Sequence, residues 1–206
     1  MLKKITVIIA GILCGALFMG NSNAQDGTSN GMKTETAIFA MGCFWCGEVD
    51  FINDTAKEKL PGVLSVQVGY AGGTRPNPTY TSHEGYKEAI KIEFNPAITS
   101  YQELLENFWH NIDLFDERGQ FCDKGFAYTS AIFFNNTEQK SQAMASKQQL
   151  EEQFARKIAT EIIPESTFYD AEEYHQNYKS KNPIRYKLYR WNCGRDKRLQ
   201  EIWNTK

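Results

Sequence analysis

Two cysteines separated by two residues form the most reactive candidate group in the sequence. Cys43 and Cys46 lie in the segment GCFWCGE, with Phe44 and Trp45 between them. Cys43 falls where a predicted strand passes into a predicted helix. A thiol there faces the positive end of the helix dipole and free backbone N–H groups, which stabilise a thiolate. We therefore predict a lowered pKa and a nucleophilic role for Cys43, with Cys46 one helical turn away and within reach for a disulfide.

Glu88 is the candidate proton donor. In the segment KEAIKIEF, 87–94, Glu88 shares one strand face with the apolar residues, whereas Lys87 lies on the opposite, polar face. An ionised carboxylate is costly to bury, so burial would raise the pKa of Glu88 and allow it to donate a proton near pH 7. The alternation does not decide between this buried position and a strand end that reaches solvent.

Tyrosines and histidines offer further polar groups. Tyr70 and Tyr128 stand at the ends of predicted strands, beside the Gly-rich loop and the segment CDKGF. At such edges a tyrosine usually packs its ring and leaves its hydroxyl in water, so only a shared pocket would make the two hydroxyls donors to a substrate. His83, His110 and His175 lack the spacing of metal ligands, and no second Cys-x-x-Cys pair exists. We expect neither a metal site nor an organic cofactor.

The elements that must position these groups follow from hydrophobic periodicity and turn residues. Predicted strands cover 34–41, 63–70, 87–94, 127–134 and 158–163. Predicted helices run from 44 to just before Leu60, from a Ser100–Glu103 capping box to 109, from 136 to about 156, from 170 to 180 and from 196 to 203. A long loop, 71–85, has a length more typical of functional loops. The order β-α-β, β-α-β predicts an α/β (α+β) fold, a ferredoxin-like two-layer sandwich with a mixed β-sheet and split βαβ units.

Composition and charge narrow the class of protein. The chain has 206 residues, of which 41% are hydrophobic and 13% aromatic, enough for one domain with a substantial core. The formal net charge is −2. This charge gives no reason to expect nucleic acid or an anionic membrane surface as a partner.

The first two dozen residues have the pattern of a secretory signal peptide. Two lysines precede an apolar run, 5–19, and Ser22 and Ala24 are small residues with the spacing that signal peptidase prefers. The run is shorter than the ~20 residues that a membrane-spanning helix needs. We predict export to the periplasm or another extracytoplasmic compartment, without stable membrane association after cleavage. The predicted segments are a signal peptide 1–24 cleaved after Ala24, a disordered lead-in 25–33 and one domain 34–206.

The cysteines allow two alternatives to a reaction in which Cys43 and Glu88 act together. Export would place four of them in an oxidising compartment. Cys43, Cys46, Cys122 and Cys193 could form two structural bridges. A non-enzymatic, disulfide-stapled binding domain would then have all four cysteines bridged and unreactive. A thiol–disulfide oxidoreductase is the second alternative, because a Cys-x-x-Cys pair beside a βαβ pattern is typical of that class. It would leave Glu88 without a role.

A series of motifs resembles the A class of peptide methionine sulfoxide reductases. In chain order they are GCFWCGE, GYAGG, NPTY, YKEAIKIEF, SYQELLENFW, GQFCDKGFAYTSAIF, FYDAEEYHQNY and YRWNCGRDKRLQEIW, from about Thr36 to Trp203. The blocks GCFW, QFCDKG and EEYHQNY are the most specific. The resemblance implies a two-layer α/β sandwich that reduces the S epimer of methionine sulfoxide, free or in proteins, as a repair of oxidative damage.

The resemblance also implies roles for the residues of the GCFWC segment. Cys43 matches the nucleophile, and attack on the sulfoxide leaves a sulfenic acid on it. Phe44 and Trp45 match the walls of the pocket for the substrate's S-methyl group. Such walls suit a soft methyl group beside a polar S=O bond, since burying one methyl contributes about 1 kcal/mol or less.

Four residues outside that segment match functional positions of the family. Glu88 matches the acid that protonates the sulfoxide oxygen. Tyr70 and Tyr128 match its hydrogen-bond donors, and Asp123 matches a residue that helps to hold the substrate backbone. The chemistry agrees with the reasoning on Glu88, because a neutral carboxyl can neutralise the charge that develops on the oxygen.

The resemblance implies that a second thiol converts the sulfenic acid into an intramolecular disulfide. Many members have Gly at the position of Cys46 and use cysteines of a C-terminal tail, whereas this chain has both Cys46 and Cys193. We expect Cys46 to resolve first, with Cys193 as a rival or relay, and Cys122 to be a packed thiol. A thioredoxin-like donor would reduce the disulfide by exchange. The expected partners are therefore oxidised proteins or peptides and that donor, and we expect a monomer.

Overall fold

The computed structural model describes residues 33–52 and 54–203. The expected signal peptide 1–24 lies outside the described residues, as does all of the expected lead-in except Lys33. Among the residues that the structure describes, no helix combines the length and the apolar character that crossing a bilayer requires.

A six-stranded, mostly antiparallel sheet forms the centre of the described chain, and β4 pairs with β5 apart from it. The strands are β1 Glu35–Ala40, β2 Val63–Ala71, β3 Lys87–Phe94, β4 Gly119–Gln120, β5 Asp123–Lys124, β6 Ala131–Phe134, β7 Glu161–Pro164 and β8 Tyr169–Asp170. The order in the sheet is β7-β6-β1-β3-β2-β8, with β6 and β7 parallel and the other neighbours antiparallel. Because β3 lies between β1 and β2, the arrangement is a split βαβ, and the predicted α/β fold class is confirmed.

Three of the helices, α3, α4 and α6, begin where the sequence supplies a capping side chain or a proline. They are α1 Phe44–Ile52, α2 Asp54–Lys59, α3 Tyr101–His110, α4 Thr137–Phe154, α5 Tyr178–Lys181, α6 Pro183–Asn192 and α7 Arg195–Trp203, with a one-turn 3₁₀ helix at Phe126–Tyr128. Ser100 and Glu103 form the predicted capping box of α3. The side chain of Asn136 caps α4 by accepting from the Gln139 N–H.

Both faces of β1 are buried, which makes this strand a firm support for the residues that follow it. On one face, the Phe39 ring lies 5.0 Å from the ring of Phe108 in α3 and 5.9 Å from the ring of Phe51 in α1. On the other face, Ile38 belongs to a smaller apolar cluster with Phe133. The strand therefore ends, just before the Cys43 segment, between two packed layers.

The helix predicted to begin at 44 and to stop before Leu60 is described by the structure as α1 and α2, which lie on either side of residue 53, a residue outside the described ranges. Moreover, α1 does not bury a single apolar stripe, since polar Glu48 and Asp50 are also buried. The C-terminal segment covers this second face: the Asn177 N–H donates to Glu48 at 2.7 Å, and Arg190 pairs with Asp50 at 3.0 Å. The periodicity of the α1 sequence cannot reveal these partners, because they lie far away along the chain.

The strand predicted over 127–134 begins only at Ala131. The residues before it form the 3₁₀ turn, in which the Thr129 N–H and hydroxyl both contact the Phe126 carbonyl. Local turn hydrogen bonds therefore take the place of the sheet ladder at these residues.

The strand predicted over 158–163 is shifted and runs from Glu161 to Pro164. The Ile158 N–H donates to the Glu151 carboxylate at 3.0 Å, and the Ala159 N–H donates to the Leu114 carbonyl at 2.9 Å. These two donors are therefore not available to the sheet.

The helix predicted over 170–180 is wrong for most of its length. Asp170 ends β8, and Asn177 has a φ of +54°, which interrupts a right-handed helix just before α5. The sequence pattern also did not predict α6, which starts at Pro183 immediately after Asn182. Proline at the first helical position is favourable because its missing N–H would have no partner there.

Lys87 is buried, although the alternation placed it on the polar face of β3. Its side chain is 2% exposed, and its ammonium pairs with Glu161 at 2.9 Å. It also donates to the Thr129 hydroxyl and lies 4.2 Å from the centroid of the Phe126 ring. Because β7 and the 3₁₀ turn cover this edge, both faces of β3 are buried here.

Candidate active site

Cys43 follows a sharp connection between β1 and α1. Gly42 has a φ of +84°, a left-handed conformation that glycine adopts at little cost. A Cβ atom at this position would lie 2.6 Å from the Cβ atom of Gln120. The close approach therefore requires glycine and fixes the position of Cys43 immediately before the helix.

Cys43 and Cys46 form a buried pair of unbridged cysteines. Their exposed fractions are 6% and 2%. Burial raises the pKa of Cys43 well above its usual value, and Cys46 and Glu88 raise it further. The lowered pKa predicted for Cys43 is therefore wrong, because burial outweighs the helix terminus and the Phe44 N–H donates to Glu88 instead. The hydrogen bond from Cys43 lowers the pKa of Cys46 to about 7, so the thiolate of the pair resides on Cys46.

Glu88 occupies the buried one of the two positions considered for it. Glu88 is 2% exposed, and its carboxyl accepts a hydrogen bond from the Phe44 N–H at 3.0 Å. Burial raises the pKa of Glu88 to about 8, although the Phe44 hydrogen bond opposes the shift. The carboxyl is therefore protonated at neutral pH and able to donate a proton.

One small cavity, of about 70 Å³, joins these groups. It is lined by residues of α1, β3, β5, the 3₁₀ turn, α6 and the loop after β2, namely Cys43, Phe44, Trp45, Tyr80, Glu88, Asp123, Tyr128 and Tyr189. The structure thus brings together most of the residues predicted from the sequence. Of the predicted site residues, Tyr70, Cys46 and Cys193 do not line the cavity.

Trp45, one wall of the cavity, is fixed by two aromatic neighbours. Its indole stacks on Tyr178 with a centroid distance of 3.7 Å and an interplanar angle of 5°. Its indole N–H donates to Nδ1 of His175 at 3.1 Å. Burial lowers the pKa of His175, which keeps the imidazole neutral and able to accept this bond. His175 therefore positions the wall without touching the cavity.

The structure corrects the position expected for Tyr70. Its ring lies behind Phe44, at a centroid distance of 5.9 Å, and its hydroxyl donates to Glu172 at 3.0 Å. Tyr80 lines the cavity instead, beside Tyr128, and its backbone N–H donates to the second carboxylate oxygen of Glu172 at 2.9 Å. Burial raises the pKa of Tyr80 and of Tyr128, so both hydroxyls keep their protons and can act as donors.

Asp123 and Tyr189 line another side of the cavity. The Tyr189 hydroxyl donates to the Asp123 carboxylate and also hydrogen-bonds to Cys43. Burial raises the pKa of Asp123, and the hydrogen bond from Tyr189 opposes the shift. The role of Asp123 in holding a substrate backbone stays a prediction, for which its place at the cavity edge is suitable.

An exposed disulfide borders the same side. Cys122 and Cys193 are bonded to each other across 71 residues of sequence, and the Cys193 sulfur lies 3.8 Å from an Asp123 carboxylate oxygen. The packed thiol expected for Cys122 is therefore wrong, since Cys122 is exposed and bridged. The disulfide-stapled binding domain is also contradicted, because it required Cys43 and Cys46 to be bridged.

Three possible metal-ligand atoms meet at this disulfide within the part of the chain that the structure describes. They belong to Cys122, Asp123 and Cys193 and lie within 4.8 Å of one another. A bridged sulfur is not a thiolate, so the group is not a metal site in this redox state. The expected absence of a metal stays a prediction.

Two cavity residues, Tyr80 and Tyr189, were not predicted. The motif NPTY offered a signal for Tyr80, because it combines turn residues with a tyrosine in a long loop. Tyr189 lies in YRWNCGRD, four residues before Cys193, on a helix that the pattern did not reveal. Its cavity position depends on how α6 packs.

Comparison with known proteins gives a consistent result along the chain. A family model described as "Peptide methionine sulfoxide reductase" matches residues 35–206. "Peptide methionine sulfoxide reductase MsrA" of Bacillus licheniformis is 44% identical over 180 residues, which cover 84% of this chain and 96% of that protein.

Solved structures agree with these sequence matches. Mxr1 of Saccharomyces cerevisiae in reduced form aligns with a TM-score of 0.66 and 30% identity, over 74% of this chain and 87% of that one. Mxr1 in complex with Trx2 aligns with a TM-score of 0.50 and 25% identity, over 72% of this chain and 87% of that one.

Proposed function

The chain belongs to the peptide methionine sulfoxide reductase family, and we propose that it reduces the S epimer of methionine sulfoxide to methionine, both free and in oxidised proteins. The observation that carries this proposal is the shared cavity. It places a cysteine sulfur, a protonated carboxyl, two protonated tyrosine hydroxyls and an aromatic wall around one small volume. Each group matches one part of a methyl sulfoxide.

The cavity size suits the end of the substrate side chain. A cavity of about 70 Å³ has room for a small group such as a methyl sulfoxide. We infer that the S-methyl group packs against Phe44 and Trp45, while the sulfoxide oxygen faces Glu88. The hydroxyls of Tyr80 and Tyr128 then donate to the same oxygen. Because the apolar and polar sides differ, only one sulfur epimer can place its methyl group, its oxygen and its sulfur against the aromatic wall, Glu88 and Cys43 at the same time.

The first step transfers the oxygen to the protein. Cys43 attacks the substrate sulfur while Glu88 gives its proton to the sulfoxide oxygen, and Glu88 regains a proton from the Cys43 thiol. In the resulting adduct the hydroxyl group moves from the substrate sulfur to the Cys43 sulfur: the substrate S–O bond and the S–S bond of the adduct break, an S–O bond forms on Cys43, and methionine leaves behind a sulfenic acid. The neutral Glu88 carboxyl is essential here, since an ionised one would repel the negative charge that develops on the oxygen.

A second thiol and an external donor complete the cycle. Cys46 condenses with the sulfenic acid, which releases water and leaves a disulfide, and a dithiol donor reduces that disulfide by exchange. The structure of Mxr1 with Trx2 supports a thioredoxin-like donor. Cys46 is buried, whereas Cys122 is exposed, so the Cys122–Cys193 pair is the part of the system that a protein donor can reach directly. In this scheme Cys193 acts as a relay.

We also propose that the protein is exported, with cleavage after Ala24, and that it acts as a monomer on envelope proteins. The lysine-flanked apolar run and the small residues before position 25 support export. N-terminal sequencing of protein recovered from a cell-envelope fraction tests this proposal. An intact N-terminus on protein found in the cytoplasm would contradict it.

Single-turnover reduction tests the activity. The pre-reduced protein is mixed with the S epimer of methionine sulfoxide without a recycling donor, and the cysteines are then mapped by mass spectrometry. We expect one to two equivalents of methionine and a disulfide that includes Cys43. No methionine and an intact Cys43 thiol would return the Cys43–Cys46 pair to thiol–disulfide exchange.

A further inference from the structure

Two arginines of the C-terminal helices converge on one buried carboxylate of α1. Arg190 Nη1 lies 3.0 Å from Asp50 Oδ1, and Arg195 Nη2 lies 2.7 Å from Asp50 Oδ2. Arg190 also pairs with Asp196 at 2.7 Å. We refer to Asp50, Arg190 and Arg195 as the arginine cluster.

The two guanidinium groups of the arginine cluster share only one buried carboxylate, because the second carboxylate partner of Arg190, Asp196, lies mostly in water. The side chains of Arg195 and Asp50 are 2% and 3% exposed, whereas that of Asp196 is 62% exposed and largely in water. One buried carboxylate therefore serves two cations. In addition, Nε of Arg195 is buried without a hydrogen-bond partner. An unbalanced buried charge is costly, so a further anion next to the cluster would be stabilised.

Cys46 is the group that can supply this anion. It lies one helical turn before Asp50 on α1 and is 2% exposed. The Tyr186 hydroxyl donates to the Cys46 sulfur at 3.8 Å, and Arg190 Nη1 donates to the Tyr186 oxygen at 3.2 Å. Tyr186 thus connects the sulfur to the cluster, and Arg190 strengthens its hydroxyl as a donor.

We propose that the arginine cluster, acting through Tyr186, holds Cys46 as a thiolate and thereby makes it the cysteine that attacks the Cys43 sulfenic acid. This inference rests on the proposed function and deepens it, because it selects Cys46 over Cys193 for the first disulfide. Tyr186 and Arg190 are positioning residues in this role, since neither lines the substrate cavity.

The electrostatic surroundings of Cys46 agree with this assignment. In the reduced protein the hydrogen bond from Cys43 is the largest cause that lowers the pKa of Cys46, whereas burial and Asp50 raise it. Arg195 and Arg190 also lower this pKa, and they remain in place after Cys43 has become a sulfenic acid. The titratable and charged groups that face Cys46 come from α1, β3, α6 and α7, namely Cys43, Asp50, Glu88, Tyr186, Tyr189, Arg190 and Arg195.

The resolving step balances with these groups alone. The Cys46 thiolate attacks the Cys43 sulfur, an S–S bond forms and the S–OH bond breaks. The departing hydroxide takes the proton of Glu88 and leaves as water, and Glu88 is reprotonated from solvent before the next cycle. Cys43 and Cys46 together lose two electrons, which the sulfoxide has consumed.

Tyr186→Phe in the full chain tests the proposal, because it removes the hydroxyl and keeps the buried ring. The pre-reduced protein is mixed with S-epimer methionine sulfoxide, and the Cys43–Cys46 disulfide is followed by quenched mass mapping. We expect the disulfide to form about tenfold more slowly and the Cys43 sulfenic acid to accumulate as a dimedone adduct. The pH midpoint for alkylation of Cys46 should rise by about one unit, a readout that a purely structural role would not move. Tyr101→Phe is the matched control, since its hydroxyl is buried without a partner and does not line the cavity.

The outcomes separate this inference from the proposed function. A normal disulfide rate and an unchanged alkylation midpoint in Tyr186→Phe would overturn the inference, as would a first disulfide between Cys43 and Cys193 in the wild-type protein. Arg190→Met provides a second variant at a partly exposed position and should slow the disulfide in the same way. Absence of methionine from the wild-type protein would instead overturn the proposed function itself.

Discussion

Burial sets the protonation of each reacting residue in this site. Glu88 and Cys43 lie in a low-dielectric environment in which neutral forms are favoured, so both hold protons at neutral pH. Cys46 differs because Cys43 donates to it and arginines lie nearby. The site therefore holds a neutral acid beside the substrate oxygen and an anion beside the future sulfenic acid. The neutral acid serves the first step, protonation of the sulfoxide oxygen, and the anion serves the second step, attack on the sulfenic acid.

Glu88→Gln should slow methionine release by about 100-fold or more, because glutamine keeps the shape and the Phe44 contact but has no proton to transfer. Single-turnover methionine release measures the effect. Glu93→Gln is the matched control on the same strand, since Glu93 points away from the cavity toward Ser65. Equal rates for Glu88→Gln and the wild-type protein would remove Glu88 from the mechanism.

The rate of methionine release should fall as pH rises through about 8. The active form of Glu88 is the protonated one, so the sign is a loss of activity above its pKa and a plateau below it. Above that pH we expect about a tenfold fall for each further unit. A pH series of the single-turnover rate checks this, with the fold monitored by circular dichroism, and a rate that climbs with pH through 9 would contradict it.

Among the elements, the connection from β1 to α1 determines where the chemistry occurs. β1 is packed on both faces, and Gly42 then turns the chain so that α1 starts at Phe44. The first N–H of α1 donates to Glu88 on β3. One strand end, one glycine and one helix start thus fix the distance between the nucleophile and the acid.

Gly42→Ala should lower the free energy of unfolding by more than the ~1–2 kcal/mol that a left-handed φ costs alanine, because its Cβ atom would also meet Gln120. It should also reduce methionine release by displacing Cys43. Gly85→Ala is the matched control, since Gly85 has a φ of +86° with nothing within 4 Å of the added Cβ atom. Urea denaturation and single-turnover assays of both variants measure the difference. Equal losses would show that contact with Gln120 is unimportant.

The elements also show which parts of the fold local sequence can predict. The strand at 87–94 and the helix after Ser100 carry strong signals, a strict alternation and a reciprocal cap, and the structure has both. The failures at 127–134 and 170–180 occur where distant partners or a single left-handed residue decide the backbone. Helix α6 depends on packing against α1, and the sequence of α6 alone does not reveal that contact.

The same limit applies to the candidate site. The resemblance to the family placed Cys43 and Glu88 in one site, and both line the cavity, whereas the alternation of the strand alone left the position of Glu88 open. The resemblance placed Tyr70 there as well, although Tyr80 from a loop takes the position. It did not predict the bond between Cys122 and Cys193, because those two residues meet only through tertiary structure.

At the scale of the whole molecule, the Cys122–Cys193 disulfide ties the C-terminal helices to the β4–β5 hairpin. It closes a loop of 71 residues in sequence. Such a bond removes conformational freedom from the unfolded chain, and a loop of this size corresponds to a stabilisation of about 4 kcal/mol. The helices that it anchors carry Tyr189 and the arginines beside Cys46.

Cys122→Ser combined with Cys193→Ser should therefore lower the free energy of unfolding by about 4 kcal/mol. Urea denaturation without reductant gives the comparison with the wild-type protein. Reductant should destabilise the wild-type protein by a similar amount and leave the double variant unaffected, which serves as the control. A change of less than about 1 kcal/mol would show that the bond does not limit the unfolded chain.

The two cysteine pairs also differ in oxidation state, and this difference determines how many electrons the protein can give to a substrate. With Cys43 and Cys46 reduced and Cys122 and Cys193 bridged, the chain holds two of the four electrons that its paired cysteines can carry. The thiols of Cys43 and Cys46 are buried and therefore shielded from oxidants in solution. The thiols of Cys122 and Cys193, once reduced, do not have this protection. An oxidising compartment can therefore oxidise Cys122 and Cys193 while Cys43 and Cys46 keep the two electrons that reduce one methionine sulfoxide.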